Sequence, residues 1–272
     1  MCLAYILCSH HDRVMPKDGP LFISNFSFWW HIGLPLLFLH LTMTTVSIYI
    51  HRAQTHGALT LHPAISHCFR AWQWLTTGMV TKEWVAVHRK HHAHVETALD
   101  PHSPKFYGLW HVIFFGAFLY RNAARDEETI RAFAKDIMND RLEQMLYARY
   151  SYAGLLLMLV IDVILFGAVW GAGVWIAQML CIPVFGAGAI NGFGHSIGYR
   201  NYATNDASRN ILPFGFVMAG EELHNNHHEA QWSAKFSHRP WEYDISWLYI
   251  RTLRALRLAH HVKVRRVHDR TA

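Results

Sequence analysis

Two long segments of the chain are almost free of charge, and they limit how it can fold. Residues 21–50 contain no Asp, Glu, Lys or Arg, and residues 151–190 contain only Asp162. About 20 consecutive apolar residues cross the hydrocarbon core of a bilayer as a helix. The sequence therefore predicts one crossing followed by a helical hairpin. The predicted spans are about 26–50, 151–169 and 173–190, with the hairpin turn at Gly171–Gly173.

The composition supports a membrane protein. Charged residues make up 16% of the chain, against about 25% in average soluble domains. The 11 Trp and 11 Tyr suit the membrane interface. Two shorter apolar segments, 63–80 and 106–120, are predicted to be interfacial or re-entrant helices. We expect an all-α integral membrane bundle, with an N-terminal lead (1–20), one domain (21–272) and a cytoplasmic cap built from histidines.

The distribution of Lys and Arg predicts the topology. Except for Arg13 and Lys17, all of these residues fall within 51–150 and 191–272. One crossing followed by a hairpin places both regions on the same side, and basic loops face the cytoplasm. We therefore expect the histidine clusters described next to lie together on the cytoplasmic face.

Charge and cysteine usage exclude several classes of protein. The net charge is +6, but no nucleic-acid recognition module accompanies it, so nucleic acid is not an expected partner. The four cysteines lack CxxC spacing, which argues against a disulfide framework or a zinc ribbon. A basic C-terminal stretch can either dock an acidic electron carrier or lie on anionic lipid. Its members are Arg251, Arg254, Arg257, Lys263, Arg265 and Arg266.

Three histidine clusters carry the chemistry. The chain has 22 histidines, and the clusters read HRAQTH, HRKHH and HNNHH. Offsets of three and four place side chains on one helix face, so each HxxHH set is expected to converge on one point. Eight imidazoles exceed the need of one metal ion, which predicts two ions. The clustered histidines are His51, His56, His88, His91, His92, His224, His227 and His228.

A fourth element is the segment Asn191-Gly-Phe-Gly-His195. His195 follows the predicted hairpin, and Asn191 lies four residues earlier on the same face, where it could hold a metal-bound water. His94, His102 and His111 are interpreted as structural or supporting groups. The other histidines are interpreted as structural or surface groups.

Metal preferences favour iron at these clusters. Breaking an unactivated C–H bond requires dioxygen and a redox metal, and open coordination positions suit iron. Zinc has no redox chemistry and usually takes four ligands. Soluble di-iron bundles use two Glu-x-x-His motifs, whereas Glu221-x-x-His224 occurs once. The absence of HExxH disfavours a zinc protease.

At these residues the chain resembles the membrane fatty acid desaturases, in the branch of stearoyl-CoA and bacterial Δ9 desaturases. The resemblance covers roughly 45–260. It is carried by HRAQTH, EWVAVHRKHHAHVETALDPHSP, NGFGHS and GEELHNNHH followed by SAKFS. It implies an oxygen-dependent enzyme that makes a cis double bond, at Δ9, in a saturated fatty acyl chain. It also implies the inner membrane of a bacterium as the location.

The resemblance implies specific roles for residues. Nine histidines would hold two iron ions, Asn191 would contact one iron through water, and Trp84 would line the acyl tunnel. Asp100-Pro101-His102 matches a family signature interpreted as structural. The implied ligands are His51, His56, His88, His91, His92, His195, His224, His227 and His228.

The sequence leaves other points open. Gly220-Glu221-Glu222-Leu223 departs from the animal pattern Gly-Glu-Gly-Phe, so the acyl carrier is either coenzyme A or phospholipid. Electrons are expected from an external ferredoxin-, flavodoxin- or cytochrome b5-type donor. One alternative is a related membrane hydroxylase or ketolase acting on alkane, carotenoid or sterol. A second is a metal-binding or metal-transport membrane protein, although a transporter would place its ligands near the bilayer midplane.

Overall fold

The computed structural model describes residues 28–137 and 139–265, and this part of the chain is mainly helical, as predicted. The predicted lead, residues 1–20, lies outside it. The α-helices are α1 (Phe28–Thr45), α2 (Pro63–Thr77), α3 (Thr81–His94), α4 (Pro104–Tyr107), α5 (Leu109–Ala124), α6 (Glu127–Phe133), α7 (Ser151–Phe166), α8 (Ala168–Pro183), α9 (Ile190–Phe193), α10 (His224–Glu229) and α11 (Ile245–Ala255). The π-helical segments are π1 (Val46–Thr55), π2 (Glu143–Tyr147) and π3 (Val184–Ala189). The two-residue strands are β1 (Thr60–Leu61), β2 (Phe214–Gly215), β3 (Tyr243–Asp244) and β4 (Ala259–His260).

Two helices in the described part of the chain are long and apolar enough to cross a membrane, judged by length and composition. The first covers Trp29–Thr55 and the second covers Ala168–Phe193. Each begins as an α-helix and continues through a π-helical segment, π1 or π3, a widened turn that is frequent at functional sites. The first helix therefore runs beyond the predicted end at residue 50. A shorter apolar helix, α7, has 16 residues. The number of crossings and the interfacial position of α2 and α5 remain predictions.

The helical hairpin turns at Gly167, so the turn predicted at Gly171–Gly173 is wrong. Gly167 lies between α7 and α8 with a φ of 83°, which glycine adopts without strain. Gly171 lies within α8, where a Cβ atom would collide with the carbonyl oxygen of Asp162. Gly171 therefore permits close packing of the two helices. Trp175 reinforces this contact by donating from Nε1 to the carbonyl oxygen of Leu155 at 2.8 Å.

A second glycine contact fixes α5 against π3. A Cβ atom at Gly188 would collide with the backbone of Ile113, and the ideal Cβ position of Gly116 lies 3.4 Å from the Gly188 Cα. The two backbones therefore touch without intervening side chains. This contact sets the position of α5 beside the helix that leads to His195.

The C-terminal segment folds back onto the end of π1. Strand β4 pairs antiparallel with β1. Beyond it, the amide of Lys263 donates to the carbonyl oxygen of Ala58 at 2.9 Å, and its carbonyl oxygen accepts from Ala234 at 2.8 Å. Strands β2 and β3 pair in parallel just before α11. These short pairings bring α10 over the ends of π1 and α3.

Candidate metal centre

The two HxxHH clusters lie on α3 and α10, and each divides its histidines between two groups. On α3, His88 and His92 face one group and His91 faces the other. The prediction that each cluster converges on one point is therefore wrong. At 3.6 residues per turn, positions three and four along lie on opposite sides of the starting residue, about 100° apart. Helix α10 repeats the division: its first and last histidines face the second group and its middle one the first.

The first group contains five histidines from three helices. Nε2 of His227 lies 3.1 Å from Nε2 of His51 and 3.0 Å from Nε2 of His92. His88 and His92 approach each other through Nε2 at 3.0 Å. The candidate ligand nitrogens all lie within 4.8 Å of one another. The first group is His51, His56, His88, His92 and His227.

The second group contains four buried histidines. Nε2 of His224 lies 3.1 Å from Nε2 of His195. The Nε2 atoms of His91 and His228 are buried and have no hydrogen-bond partner. The candidate ligand nitrogens again lie within 4.8 Å of one another. All four histidines belong to the predicted ligand set. The second group is His91, His195, His224 and His228.

Carboxylates orient four of the nine histidines by accepting from Nδ1. Hydrogen bonds of this kind fix the ring and leave Nε2 for a metal. The prediction that Asp100 supports the site agrees with its contact to His91. The sequence reasoning missed Glu96 and Asp206, and it considered Glu221 only as part of Glu-x-x-His. The pairs are His51–Glu221 at 2.8 Å, His91–Asp100 at 3.0 Å, His195–Glu96 at 3.3 Å and His228–Asp206 at 2.7 Å.

Burial keeps several of these imidazoles neutral near pH 7. It lowers the pKa of His88 and His92 well below the usual value, and neighbouring imidazoles lower it further. Burial also lowers the pKa of His228 to about 3, although its hydrogen bond to Asp206 acts in the opposite direction. Neutral imidazole has the free lone pair that metal binding requires. These three histidines are thus in the protonation state that metal binding requires near pH 7.

The two asparagines of HNNHH hold α10 in place. Asn226 donates from Nδ2 to the carbonyl oxygen of Phe236 and to Glu242, both at 2.8 Å. Its Oδ1 accepts from Asn201 at 2.8 Å. Asn225 accepts from the backbone amide of Asn201 at 2.9 Å. Both asparagines are fully buried. Together they fix the orientation of α10 and so of its three histidines.

The remaining predicted residues lie around the two groups. Trp84 stacks on His88 with ring centroids 4.7 Å apart. The ring of His102 lies 4.5 Å from that of His91, and its buried Nε2 has no hydrogen-bond partner. Asn191 lines a cavity together with His224. Within the described residues, neither His94 nor His111 belongs to a group that could hold a metal ion.

The residues present fit two metal ions. Buried imidazole nitrogens converge in each group, and several of them have no hydrogen-bond partner among the described residues. In four of the nine histidines the opposite ring nitrogen is held by a carboxylate, as is usual for histidines that bind metals. Imidazole donors suit iron, copper, nickel and zinc. The geometry therefore supports two metal positions, one in each group.

A cavity of about 430 Å³ reaches both groups, a size typical of ligand sites. It contacts His51 of the first group and His224 of the second, and Trp84 of α3 also lines it. It extends between α3, α5 and α8 towards the end of α5. There its lining includes Arg121 and Arg125, which are exposed. The cavity therefore joins the protein surface to the centre of the histidine site.

Comparison with known proteins gives a consistent result. A family described as "Fatty acid desaturase" matches residues 27–230. The sn-1 stearoyl-lipid 9-desaturase of Anabaena variabilis is 30% identical over 243 residues, which cover 89% of this chain and 86% of the relative. The icosanoyl-CoA 5-desaturase of Limnanthes douglasii is 31% identical over 255 residues, 90% of this chain and 68% of the relative. The Synechocystis sn-1 stearoyl-lipid 9-desaturase is 28% identical over 250 residues, 89% of this chain and 75% of the relative. Together with the two histidine groups, these matches establish that the chain belongs to the fatty acid desaturase family.

Proposed function

We propose that the protein is an oxygen-dependent di-iron desaturase. It introduces a cis double bond, at Δ9, into a saturated fatty acyl chain carried on phospholipid or coenzyme A. The nine histidines of the two groups hold two Fe2+ ions, and Asn191 holds a water on one of them. Bound iron supplies the activation of dioxygen that removes two hydrogens from adjacent methylenes, with the oxygen leaving as water.

The observation that carries this proposal is the cavity that reaches both histidine groups. It contacts His51 and His88 on one side and His224 and Asn191 on the other. A single acyl chain lying in it would pass both metal positions. Desaturation requires this arrangement, because two neighbouring carbons must be held beside the same centre.

The residues of the cavity position the chain and exclude water. The ring centroids of Trp84 and His51 lie 5.8 Å apart in an edge-to-face arrangement, and Trp84 also stacks on His88, so it forms a fixed wall beside the first group. Gly116 and Ala117 of α5 leave room for a chain opposite this wall. The depth of the cavity beyond the histidines sets which carbons are desaturated.

The exposed end of the cavity suits the carrier of the acyl chain. Arg121 and Arg125 lie four residues apart, at and just beyond the end of α5, where side chains share one face. Arginines recognise phosphate groups through paired hydrogen bonds, and both phospholipid and coenzyme A contain phosphate. The relatives include both a stearoyl-lipid desaturase and an icosanoyl-CoA desaturase. The Δ9 position follows the two stearoyl-lipid 9-desaturases.

The protein acts as a multi-pass protein of the bacterial inner membrane, with its histidine site on the cytoplasmic face. The two long apolar helices support insertion. Helix α5 presents large exposed apolar side chains, including Trp110, Phe114 and Phe118, as expected of a helix in the membrane interface. Electrons come from a separate ferredoxin-, flavodoxin- or cytochrome b5-type donor.

Fatty-acid analysis of cells that express the chain tests this function. Gas chromatography–mass spectrometry with double-bond location should reveal a new cis-Δ9 monounsaturated chain. The product should vanish in His227→Ala, which removes a ligand of the first group, and persist in His260→Ala, which changes an exposed histidine of β4. Hydroxylated chains would instead indicate the related hydroxylase. Unchanged lipids, with iron bound and an electron donor supplied, would rule out a fatty acyl substrate.

A further inference from the structure

A second opening reaches the first histidine group. It is separate from the cavity lined by Trp84, His51 and His224, which we call the acyl cavity because the proposed substrate occupies it. This cleft, of about 530 Å³, is lined by His56 and His92 and by Trp232. Among the described residues, His56 and His92 line the cleft and do not line the acyl cavity. Trp232 is 46% exposed. Two candidate metal ligands therefore line a surface cleft that is distinct from the cavity proposed for the acyl chain.

Hydrogen bonds hold Arg89, which lines one wall of the cleft, in a fixed position. Arg89 donates to both carboxylate oxygens of Asp136, at 2.5 and 3.0 Å. It also donates to the carbonyl oxygens of Thr55 and Phe133, at 2.9 and 3.0 Å. The guanidinium thus ties the end of π1 to α6 and neutralises Asp136. A partner protein would meet a preformed surface, which lowers the entropic cost of docking.

The rim of the cleft is basic. The backbone of Lys263 bonds to Ala58, two residues after His56, and to Ala234, two residues after Trp232. Its exposed side chain therefore belongs to the same surface as both loops. On the opposite wall, exposed Arg131 and Lys135 flank Phe133. Within the described residues, none of these three basic side chains forms an ion pair. Positive charge around an exposed aromatic ring suits a negatively charged protein.

We propose that this cleft is the docking site for an acidic one-electron carrier protein, and that electrons enter the site through His56 and His92. The inference rests on the proposed function, because an oxygen-dependent desaturase needs two electrons from an external carrier for each double bond. It assigns part of the basic C-terminal stretch, Lys263, to protein docking instead of contact with lipid.

The electron balance requires repeated docking. Forming one double bond removes two hydrogen atoms from adjacent methylenes. Reduction of dioxygen to two waters needs these two hydrogen atoms and, in addition, two electrons and two protons. The carrier is oxidised and delivers one electron per encounter, so two encounters occur per double bond. A docking site used in this way must release its partner quickly, which favours charge steering over a large apolar interface.

The test compares carrier-driven with chemically driven turnover. Iron-loaded protein in nanodiscs of neutral lipid is supplied with acyl substrate and a plant-type [2Fe–2S] ferredoxin with its reductase. Lys263→Glu and Trp232→Ala should each raise the ferredoxin concentration for half-maximal turnover by about tenfold. The increase for Lys263→Glu should shrink at high salt, because surface charges are then screened. The matched charge reversal Arg251→Glu, on α11 and outside the cleft, should leave the concentration unchanged.

A single turnover of dithionite-reduced protein separates docking from other roles. Iron content and product yield in that turnover should equal wild type in all three variants. If Trp232→Ala loses dithionite-driven product as well, Trp232 supports the site and the docking proposal is wrong. If ferredoxin dependence is unchanged in both cleft variants, the carrier binds elsewhere. If Lys263→Glu matters only in nanodiscs containing anionic phosphatidylglycerol, the tail contacts lipid and the proposal is overturned.

Failure of the proposed function gives a different pattern. In that case, the dithionite-reduced wild-type protein forms no unsaturated product at all, whatever the ferredoxin concentration. Docking at the cleft is judged only where wild-type protein passes this control.

Discussion

Four carboxylates fix the ring orientation of four of the candidate histidine ligands. Three of them, Asp100, Glu96 and Asp206, serve the second histidine group, and Glu221 serves the first. Burial alone would raise the pKa of Asp206, but its hydrogen bond from His228 lowers it strongly, so the carboxylate stays ionised. An ionised acceptor fixes the ring tautomer and increases the basicity of the opposite nitrogen. The second group should therefore depend more on these acids than the first.

Replacing one carboxylate should weaken metal binding without removing a ligand. Asp206→Asn lacks the negative charge that fixes His228, so we expect the metal affinity of the second group to fall about 10- to 100-fold. Titration with Co2+ under buffered free-metal conditions measures this. The matched change Asp136→Asn, at the carboxylate that pairs with Arg89, should leave the affinity unchanged. Equal affinity in Asp206→Asn and wild type would contradict the role given to Asp206.

The lowered histidine pKa values also predict how stability depends on pH. In the unfolded chain histidine titrates near 6.5, whereas His228 has a folded pKa of about 3. The unfolded state therefore binds more protons below pH 6.5, and stability falls as the pH is lowered from there towards 3. Chelator-treated protein should melt at a lower temperature at pH 5.5 than at pH 7.5. His227→Ala, which removes one such histidine, should show a smaller difference; an equal or larger one would contradict the assignment.

At the scale of elements, glycine contacts determine how the helices meet around the cavity. Gly188 brings π3 against the backbone of Ile113, and Gly171 brings α8 against α7. Both contacts place backbone atoms where side chains normally separate helices. The cavity walls formed by α5 and π3 therefore depend on small residues outside the ligand set.

A single methyl group should be enough to disturb the α5–π3 contact. Gly188→Ala forces the two backbones apart, and overpacking of this kind costs about 1–3 kcal/mol. We expect a lower melting temperature in detergent and weaker acyl binding. Gly173→Ala is the matched control, because the added Cβ meets nothing within 4 Å. Similar melting temperatures for Gly188→Ala and Gly173→Ala would show that the contact is not critical.

The sequence predicted the helical elements, and which histidines come together, better than their arrangement. Long apolar segments and HxxHH spacing depend on local periodicity, which one sequence reveals. The turn at Gly167 was missed because Gly171-Ala-Gly173 looks like a turn until the partner helix is known. Glu96 and Asp206 were missed because their histidines lie 99 and 22 residues away along the chain. Such contacts are set by the tertiary fold, not by spacing.

At the scale of the whole molecule, the histidine site lies between two openings with different properties. The acyl cavity opens at Arg121 and Arg125 and contacts both groups, whereas the candidate ligands that line the cleft at Trp232 are His56 and His92 of the first group. Under the proposed function, this separation would allow a substrate to stay bound while electrons arrive from the other side. The arrangement of the two groups depends on α10, which contributes histidines to both of them and is held by the buried side chains of Asn225 and Asn226.

The iron content of the purified protein shows how many ions bind, and Mössbauer spectroscopy shows how the iron is bound. We expect about two iron atoms per chain, bound by nitrogen ligands. His56→Ala, in the first group, and His224→Ala, in the second, should each retain about one. Wild-type protein that binds a single iron, or variants that lose both ions together from every position, would contradict two separate histidine-bound ions.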